Sequence, residues 1–214
     1  MKLGLTVANA HLITVQTFDN YLSTAGLYSL LQLINYVGLF DITALQGTTG
    51  VISKAVQAHN SLEPGKALGT LPASATKAEW DAEIYAIISA IETINNLVGT
   101  SGAISMDDKL AELVQTDSDA VKEFLHLVNS STILREMLPQ MMYDSLEKAL
   151  TVALTPLYGV NAGAHAATIM DTTSNTTIVW IRGQLGDSNP TASVAEWDAQ
   201  IDTICAILAD PSVL

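Results

Sequence analysis

Residues 76–97 read TKAEWDAEIYAIISAIETINNL, and this stretch decides the predicted fold. Thr76 is a good N-cap residue and Glu79 follows three positions later, so the two can form a reciprocal capping box at the start of a helix. Apolar residues then recur at helical spacing and define one face of that helix, beginning with Trp80, Ile84 and Ile87. The stretch is therefore predicted to be an amphipathic helix anchored in the core by its tryptophan.

The same pattern is written a second time near the C-terminus. Ser193 and Glu196 form another candidate capping box, and the apolar face behind it begins with Trp197, Ile201 and Ile204. Residues 78–84 read AEWDAEI, and residues 195–201 read AEWDAQI. Two occurrences of the same phrase predict an internal repeat.

A second alignment extends the repeat towards the N-terminus. Residues 30–56 align without a gap with residues 124–150, keeping the apolar pattern and placing Asn35 opposite Asn129. Trp80 and Trp197 are 117 residues apart, whereas the aligned segments are offset by 94 residues. The second copy must therefore contain an insertion, which lies within residues 151–190.

These alignments divide the chain into four parts. A lead-in over residues 1–18 precedes a first helical copy over residues 19–99, and a linker helix over residues 100–116 precedes a second copy over residues 117–214. The predicted fold is mainly α: two tandem copies of a multi-helix unit packed on each other. Stacking is expected because amphipathic helices of one unit cannot bury their apolar faces alone.

The insertion has a different pattern from the rest of the chain. Residues 176–182 read TTIVWIR, a β-branched and aromatic run that favours a strand, and residues 166–170 could pair with it. The pattern thus allows a small β-hairpin near residues 165–183. An irregular loop packed by Trp180 is the alternative.

Composition excludes some partners. The chain has 22 acidic and 9 basic residues, a formal net charge of −13, and no cluster of Lys or Arg, so nucleic acid and anionic membrane surfaces are disfavoured. Residues 20–40 and 149–170 carry no charge and are long enough to span a bilayer. Because the aligned partner of the first stretch is charged, no membrane insertion is expected.

No catalytic motif is present in the sequence. The cofactor and nucleophile signatures are missing, and the four histidines are scattered: His11, His59, His126 and His165. We therefore predict no enzyme activity, no cofactor and no metal site. An enzyme with an active site in the insertion, formed by His165, Asp171 and Trp180, is the least favoured alternative.

A few other side chains are candidates for contacts with a partner. Trp180 lies outside the repeat and is a candidate interaction residue, whereas Met137 and Met141 could either fill gaps in a core or form an adaptable partner surface. The single cysteine, Cys205, lies on the apolar face of the second tryptophan helix. It is predicted to be a small buried hydrophobe.

Two phrases carry a family resemblance. TILREMLP at residues 132–139 and EWDAEI at residues 79–84 resemble helical tandem repeats of large bacterial cell-surface proteins. The resemblance implies an extracellular array that spaces or presents other domains, with neighbouring repeats or another protein as partners and no catalytic residues to carry over. The first copy departs from the pattern, because residues 38–45 read GLFDITAL without the proline.

The predicted function is a non-catalytic structural or interaction module, acting as a spacer, scaffold or adhesion segment of a bacterial surface protein. The alternative is a helical binding module for a lipid or a partner helix, which the 49% hydrophobic content would suit. A small-molecule ligand is left open.

Overall fold

The computed structural model describes residues 56–57, 60–61, 68–72, 74–98, 106–185 and 192–214. The predicted lead-in over residues 1–18, and the part of the predicted first copy that precedes residue 56, lie outside the described residues. Within the described ranges the chain is helical and has no strand, which confirms the mainly α class.

The described residues form eight α-helices and two 3₁₀ turns. One 3₁₀ turn, Gly159–Asn161, follows the helix Leu138–Tyr158, and the other, Pro211–Val213, follows the helix Val194–Ala209. The helices are α1 (Lys77–Val98), α2 (Met106–Thr116), α3 (Ser118–Ser130), α4 (Thr132–Arg135), α5 (Leu138–Tyr158), α6 (Ala162–Thr172), α7 (Thr176–Leu185) and α8 (Val194–Ala209).

Both predicted capping boxes are present. Glu79 Oε2 accepts hydrogen bonds from the Thr76 backbone N–H at 2.6 Å and from Thr76 Oγ1 at 2.8 Å, and Thr76 Oγ1 accepts from the Glu79 N–H at 3.3 Å. The corresponding distances between Ser193 and Glu196 are 2.7, 2.7 and 3.3 Å. The boxes satisfy N–H groups that the first turn of a helix leaves without partners.

Two further helices begin at side chains that cap them. Asp117 caps α3 by accepting from the Ala120 N–H at 3.1 Å, and Ser131 caps α4 by accepting from the Leu134 N–H at 3.0 Å. Pro139 lies in the first turn of α5, where its missing N–H costs nothing. Local capping therefore sets where these helices begin.

The β-hairpin near residues 165–183 was predicted wrongly, because the segment forms α6 and α7. Asn175 Oδ1 accepts from the N–H groups of Thr177 at 3.0 Å and Ile178 at 3.3 Å, and so starts α7. Ile178 and Ile181 are fully buried, three positions apart. This helical spacing lets both isoleucines pack on one side, which outweighs the β propensity of the run.

Two helices organise the packing. The long helix α5 packs against α2, α6, α7 and α8, while α3 packs against α1, α2 and α8. The ring of Trp180 meets that of Trp197 edge to face, with 4.6 Å between centroids. The predicted core anchors are all buried, with no more than 5% of any side chain exposed: Trp80, Ile84, Ile87, Trp197, Ile201 and Ile204.

The structure corrects the prediction that Met137 and Met141 could form a surface for a partner. Met137 and Met141 are 4% and 3% exposed and belong to the main core, so they do not present a surface to a partner. Their flexible thioether side chains instead fill space where α5 begins. Of the two alternatives, gap filling is the one that the structure shows.

Candidate functional site: the junction of α1 with α3 and α4

A buried carboxylate joins α1 to the turn between α3 and α4. Glu83 is 4% exposed. Its Oε1 accepts from Ser131 Oγ at 2.5 Å and from the Ile133 N–H at 2.8 Å, and its Oε2 accepts from the Thr132 N–H at 2.9 Å. A negative charge is favourable here because the first N–H groups of a helix have no internal partner and carry partial positive charge.

Ser131 links this contact to the helix that it caps. Its hydroxyl donates to Glu83 and accepts from the Leu134 N–H, so one fully buried side chain serves both elements. The position of α1 and the start of α4 are therefore coupled through shared hydrogen bonds rather than through apolar contact alone.

The segment around Gly69 is hydrogen-bonded to α4. The Gly69 N–H donates to the Ile133 carbonyl at 2.9 Å, and Asn60 holds Leu68 through two hydrogen bonds of 2.7 Å, one to each backbone group. A Cβ at residue 69 would lie 2.4 Å from the carbonyl oxygen of Thr132. Glycine is required here because the two backbones approach too closely for any side chain.

An open groove of about 440 Å³ lies over this junction. Tyr85 stands on its wall with 72% of its side chain exposed, so the groove has an aromatic edge that water reaches. The Glu83 carboxylate borders it but is already bonded to three donors. The walls are formed by Leu71, Glu79, Ala82, Glu83, Tyr85, Ala86, Leu127, Ser130 and Thr132.

The second tryptophan helix, α8, meets the same helix α3 through different polar groups. Asp198 Oδ1 lies 2.7 Å from His126 Nδ1 and accepts from Asn129 Nδ2 at 2.8 Å. Asn129, which is fully buried, also donates to the Val194 carbonyl at 2.8 Å. We call these contacts of His126 and Asn129 with α8 the α3–α8 seam, and they fix the register of α8 on α3.

An ion pair extends the seam beside the only cysteine of the chain. Lys122 Nζ lies 2.8 Å from Asp202 Oδ1, and this hydrogen bond lowers the pKa of Asp202 and raises that of Lys122. Burial raises the pKa of the Cys205 thiol to about 11, although the Lys122 charge opposes the shift. The thiol is therefore neutral at physiological pH and 2% exposed, as predicted for a small buried hydrophobe.

The three residues of the alternative active site have separate partners. The ring of His165 lies 4.0 Å from that of Tyr158, and Asp171 accepts from Tyr143 Oη at 2.8 Å. Burial, followed by the contact with Asp171, raises the pKa of Tyr143 to about 12. Trp180 packs on α8. Among the described residues, no group of three or more His, Cys, Asp or Glu side chains could hold a metal ion.

Sequence reasoning found the helix of Glu83 but not the part that Glu83 plays. Asp81 and Glu83 fall near the start of a helix, where acids are stabilising in any case. The signal that could have found the site is the comparison of the two phrases, because they differ at Glu83 and Gln200 and nowhere else.

Comparisons with known proteins give no relative. The chain matches no protein-family model, no curated protein and no solved structure. The resemblance to helical repeats of bacterial surface proteins therefore stays a prediction. Within the described ranges, no helix combines the length and the apolar character needed to cross a membrane.

Proposed function

We propose that this protein is a non-catalytic structural module, a helical spacer or scaffold segment of a bacterial cell-surface protein. The observation that supports the proposal is the buried Glu83 carboxylate, whose two oxygens are occupied by three donors at the start of α4. A carboxylate bonded in this way holds two helices in a fixed relation. Such fixed contacts between successive helices suit a segment that must keep its shape and length.

The second tryptophan helix supports the same proposal. α1 and α8 both pack on α3, and each adds a polar contact to its apolar face, through Glu83 in α1 and Asp198 in α8. Hydrogen bonds at defined positions fix the register of packed helices more strictly than apolar contact does. A rigid stack of helices is what spacing other domains requires.

Single-molecule energy transfer on the full chain tests the proposal. Two fluorescent domains are fused to the two ends, and a spacer should give one narrow distance distribution. Glu83→Ala should broaden this distribution, because α1 loses its polar attachment to α4. Glu123→Ala removes an acid from an exposed position of α3 and is the matched control, which should leave the distance unchanged. A broad distribution in the unmodified chain would contradict a spacer.

The groove over the junction favours a second candidate, a binding module for a lipid or a partner helix. Its apolar walls and the exposed Tyr85 could accept an apolar ligand. Native mass spectrometry of protein purified without detergent would detect such a ligand. A bound lipid or peptide that is lost in Tyr85→Ala would favour this candidate over the spacer.

A further inference from the structure

The one position at which the two tryptophan phrases differ meets the start of another helix in both cases. In α1, Glu83 accepts from the N–H groups of Thr132 and Ile133, in the first turn of α4. In α8, Gln200 Oε1 accepts from Thr177 Oγ1 at 3.4 Å, in the first turn of α7. The same flank of two nearly identical helices therefore contacts a helix start twice.

The opposite flank of α8 contacts the predicted second copy, to which α8 itself belongs. Asp198 lies two residues before Gln200, about 200° away around the helix, and it contacts α3 through His126 and Asn129. Helix α8 thus meets α3 on one flank and α7 on the other, whereas the Glu83 flank of α1 meets α4. The start of α7 therefore occupies, on α8, the place that the start of α4 occupies on α1.

Helix α7 is held in this place by packing and by hydrogen bonds. Ile178 and Ile181 are fully buried, and α7 packs against α5. The ring of Trp180 lies edge to face on that of Trp197, and Arg182 donates to two backbone carbonyls around the end of α6. Another molecule could reach this flank of α8 only by displacing α7.

The neutral side chain at position 200 fits a helix start that already has its own acceptor. Asn175 Oδ1 accepts from the N–H groups of Thr177 and Ile178, so α7 does not need an acid from α8. The corresponding N–H groups at the start of α4 depend on Glu83 instead. A carboxylate without such donors would be costly at a half-buried position, which accounts for the amide there.

We propose that α7 stands in for a neighbouring unit and closes the stack of helices at α8. In a helical array each unit covers a face of the one before it, and the last unit needs a cap. The insertion supplies that cap, so residues 117–214 form a terminal unit whose α8 accepts no further unit. This inference rests on the proposed spacer function for the idea of a stack. Its tests measure unfolding and hydrogen exchange rather than an end-to-end distance, so either proposal can fail alone.

Extending the chain by one unit tests the closure. A second copy of residues 100–214 is joined after Leu214 of the full chain, and urea unfolding is followed by circular dichroism. If α7 closes α8, the added unit lacks the cover that α1 gives to α3 and α4. It should then unfold in a separate transition, at a lower urea concentration than the unextended chain. A single transition at or above the midpoint of the unextended chain would show that α8 accepts another unit, and would overturn the proposal.

The correspondence between the two helix starts has a test of its own. Asn175→Ala should speed hydrogen exchange at the amides of Thr177 and Ile178 by about tenfold, because they lose their acceptor. In that variant, Gln200→Glu should restore most of the protection, since it places a carboxylate on α8 where α1 has Glu83. Gln200→Leu is the matched control, which has no acceptor and should restore none. Equal protection in the two double variants would mean that α7 does not take the place of α4, and would overturn the proposal.

Discussion

Helices α1 and α8 carry nearly the same phrase, yet they are attached to the bundle in different ways. Both begin with a capping box of matching geometry, and both bury a tryptophan at the fourth helical position. The phrases differ at one position, where α1 has Glu83 and α8 has Gln200. What the two helices share is set by residues next to one another in the chain.

The polar partners of the two helices show how they differ. Glu83 binds three donors at the start of α4, whereas Gln200 Oε1 accepts a long hydrogen bond of 3.4 Å from Thr177 Oγ1 at the start of α7. Asp81 pairs with Lys77 on its own helix, but the equivalent Asp198 reaches across to α3. Equivalent residues therefore make contacts that depend on which helix lies beside them.

The largest expected effect is the loss of either tryptophan. Trp197→Ala and Trp80→Ala should each lower the free energy of unfolding by about 3–5 kcal/mol, through lost burial and the cavity left behind. Trp197→Ala should be the more severe, because it also removes the edge-to-face contact with Trp180, worth about 0.5–1.5 kcal/mol. Urea unfolding followed by circular dichroism measures both, and a larger loss for Trp80→Ala would reverse the comparison.

The next largest effect is a difference in stability between variants at Glu83 and variants at Gln200. Glu83→Ala should cost about 2–3 kcal/mol, because three donors, two of them buried, lose their acceptor, whereas Gln200→Ala should cost less than about 1 kcal/mol. Hydrogen exchange should show the loss of protection at the amides of residues 132 and 133. Equal costs for the two alanine variants would mean that the buried carboxylate adds nothing beyond packing.

A smaller difference is expected between the two aspartates. Asp198→Ala should cost about 1–2 kcal/mol, because the hydrogen bond from the buried Asn129 is lost together with the contact to His126. Asp81→Ala should cost about 0.3–0.5 kcal/mol, the usual value of an exposed pair one helical turn apart. Chemical denaturation of the two variants side by side measures the difference, and similar costs would count against the seam between α3 and α8.

The smallest expected effect is a pH dependence of stability that the capping boxes of α1 and α8 should share. Hydrogen bonds from the backbone and side chain of Thr76 lower the pKa of Glu79, and those of Ser193 lower the pKa of Glu196. An acid whose pKa is lower when folded stabilises the protein fully above its ordinary pKa of 4.5, and this stability is lost as pH falls through the lowered value.

Glu79→Gln and Glu196→Gln test this symmetry. Each variant should be less stable than the unmodified protein at neutral pH, and the difference should shrink as the pH is lowered below about 4, because the parent acid becomes protonated. Thermal unfolding at a series of pH values measures the two curves. Curves of different shape would show that the capping boxes are not equivalent.

The sequence predicted helix starts better than it predicted polar contacts. The boundaries at Thr76 and Ser193 were correct because a cap acts on N–H groups two or three residues away. The error in α7 has the same cause, since Asn175 is a cap that was not recognised in front of a β-branched run. Arg182, which donates to the carbonyls of Asp171 and Thr173, then ties α7 to the end of α6.

The comparison of the two phrases could single out Glu83, but it could not show which groups Glu83 binds. The sequence places Glu83 on the helix and near its start, but the groups that donate to it lie on residues 131–133, far along the chain. Whether an acid in that position faces water or the end of another helix depends on which helix packs beside it. Packing partners are chosen by the whole arrangement of apolar faces, so periodicity within one helix does not reveal them.

The amino-acid sequence by itself determined the mainly α class, the caps and the burial of Trp80 and Trp197. A cap acts on its own helix, and the spacing of apolar residues along one helix shows which of its faces is buried. The tertiary structure alone decided that Glu83 holds the start of α4, that Asp198 reaches α3, and that the methionines lie in the core. These contacts join residues distant in the chain, and they form only when the packed helices bring a buried donor and acceptor within hydrogen-bond distance.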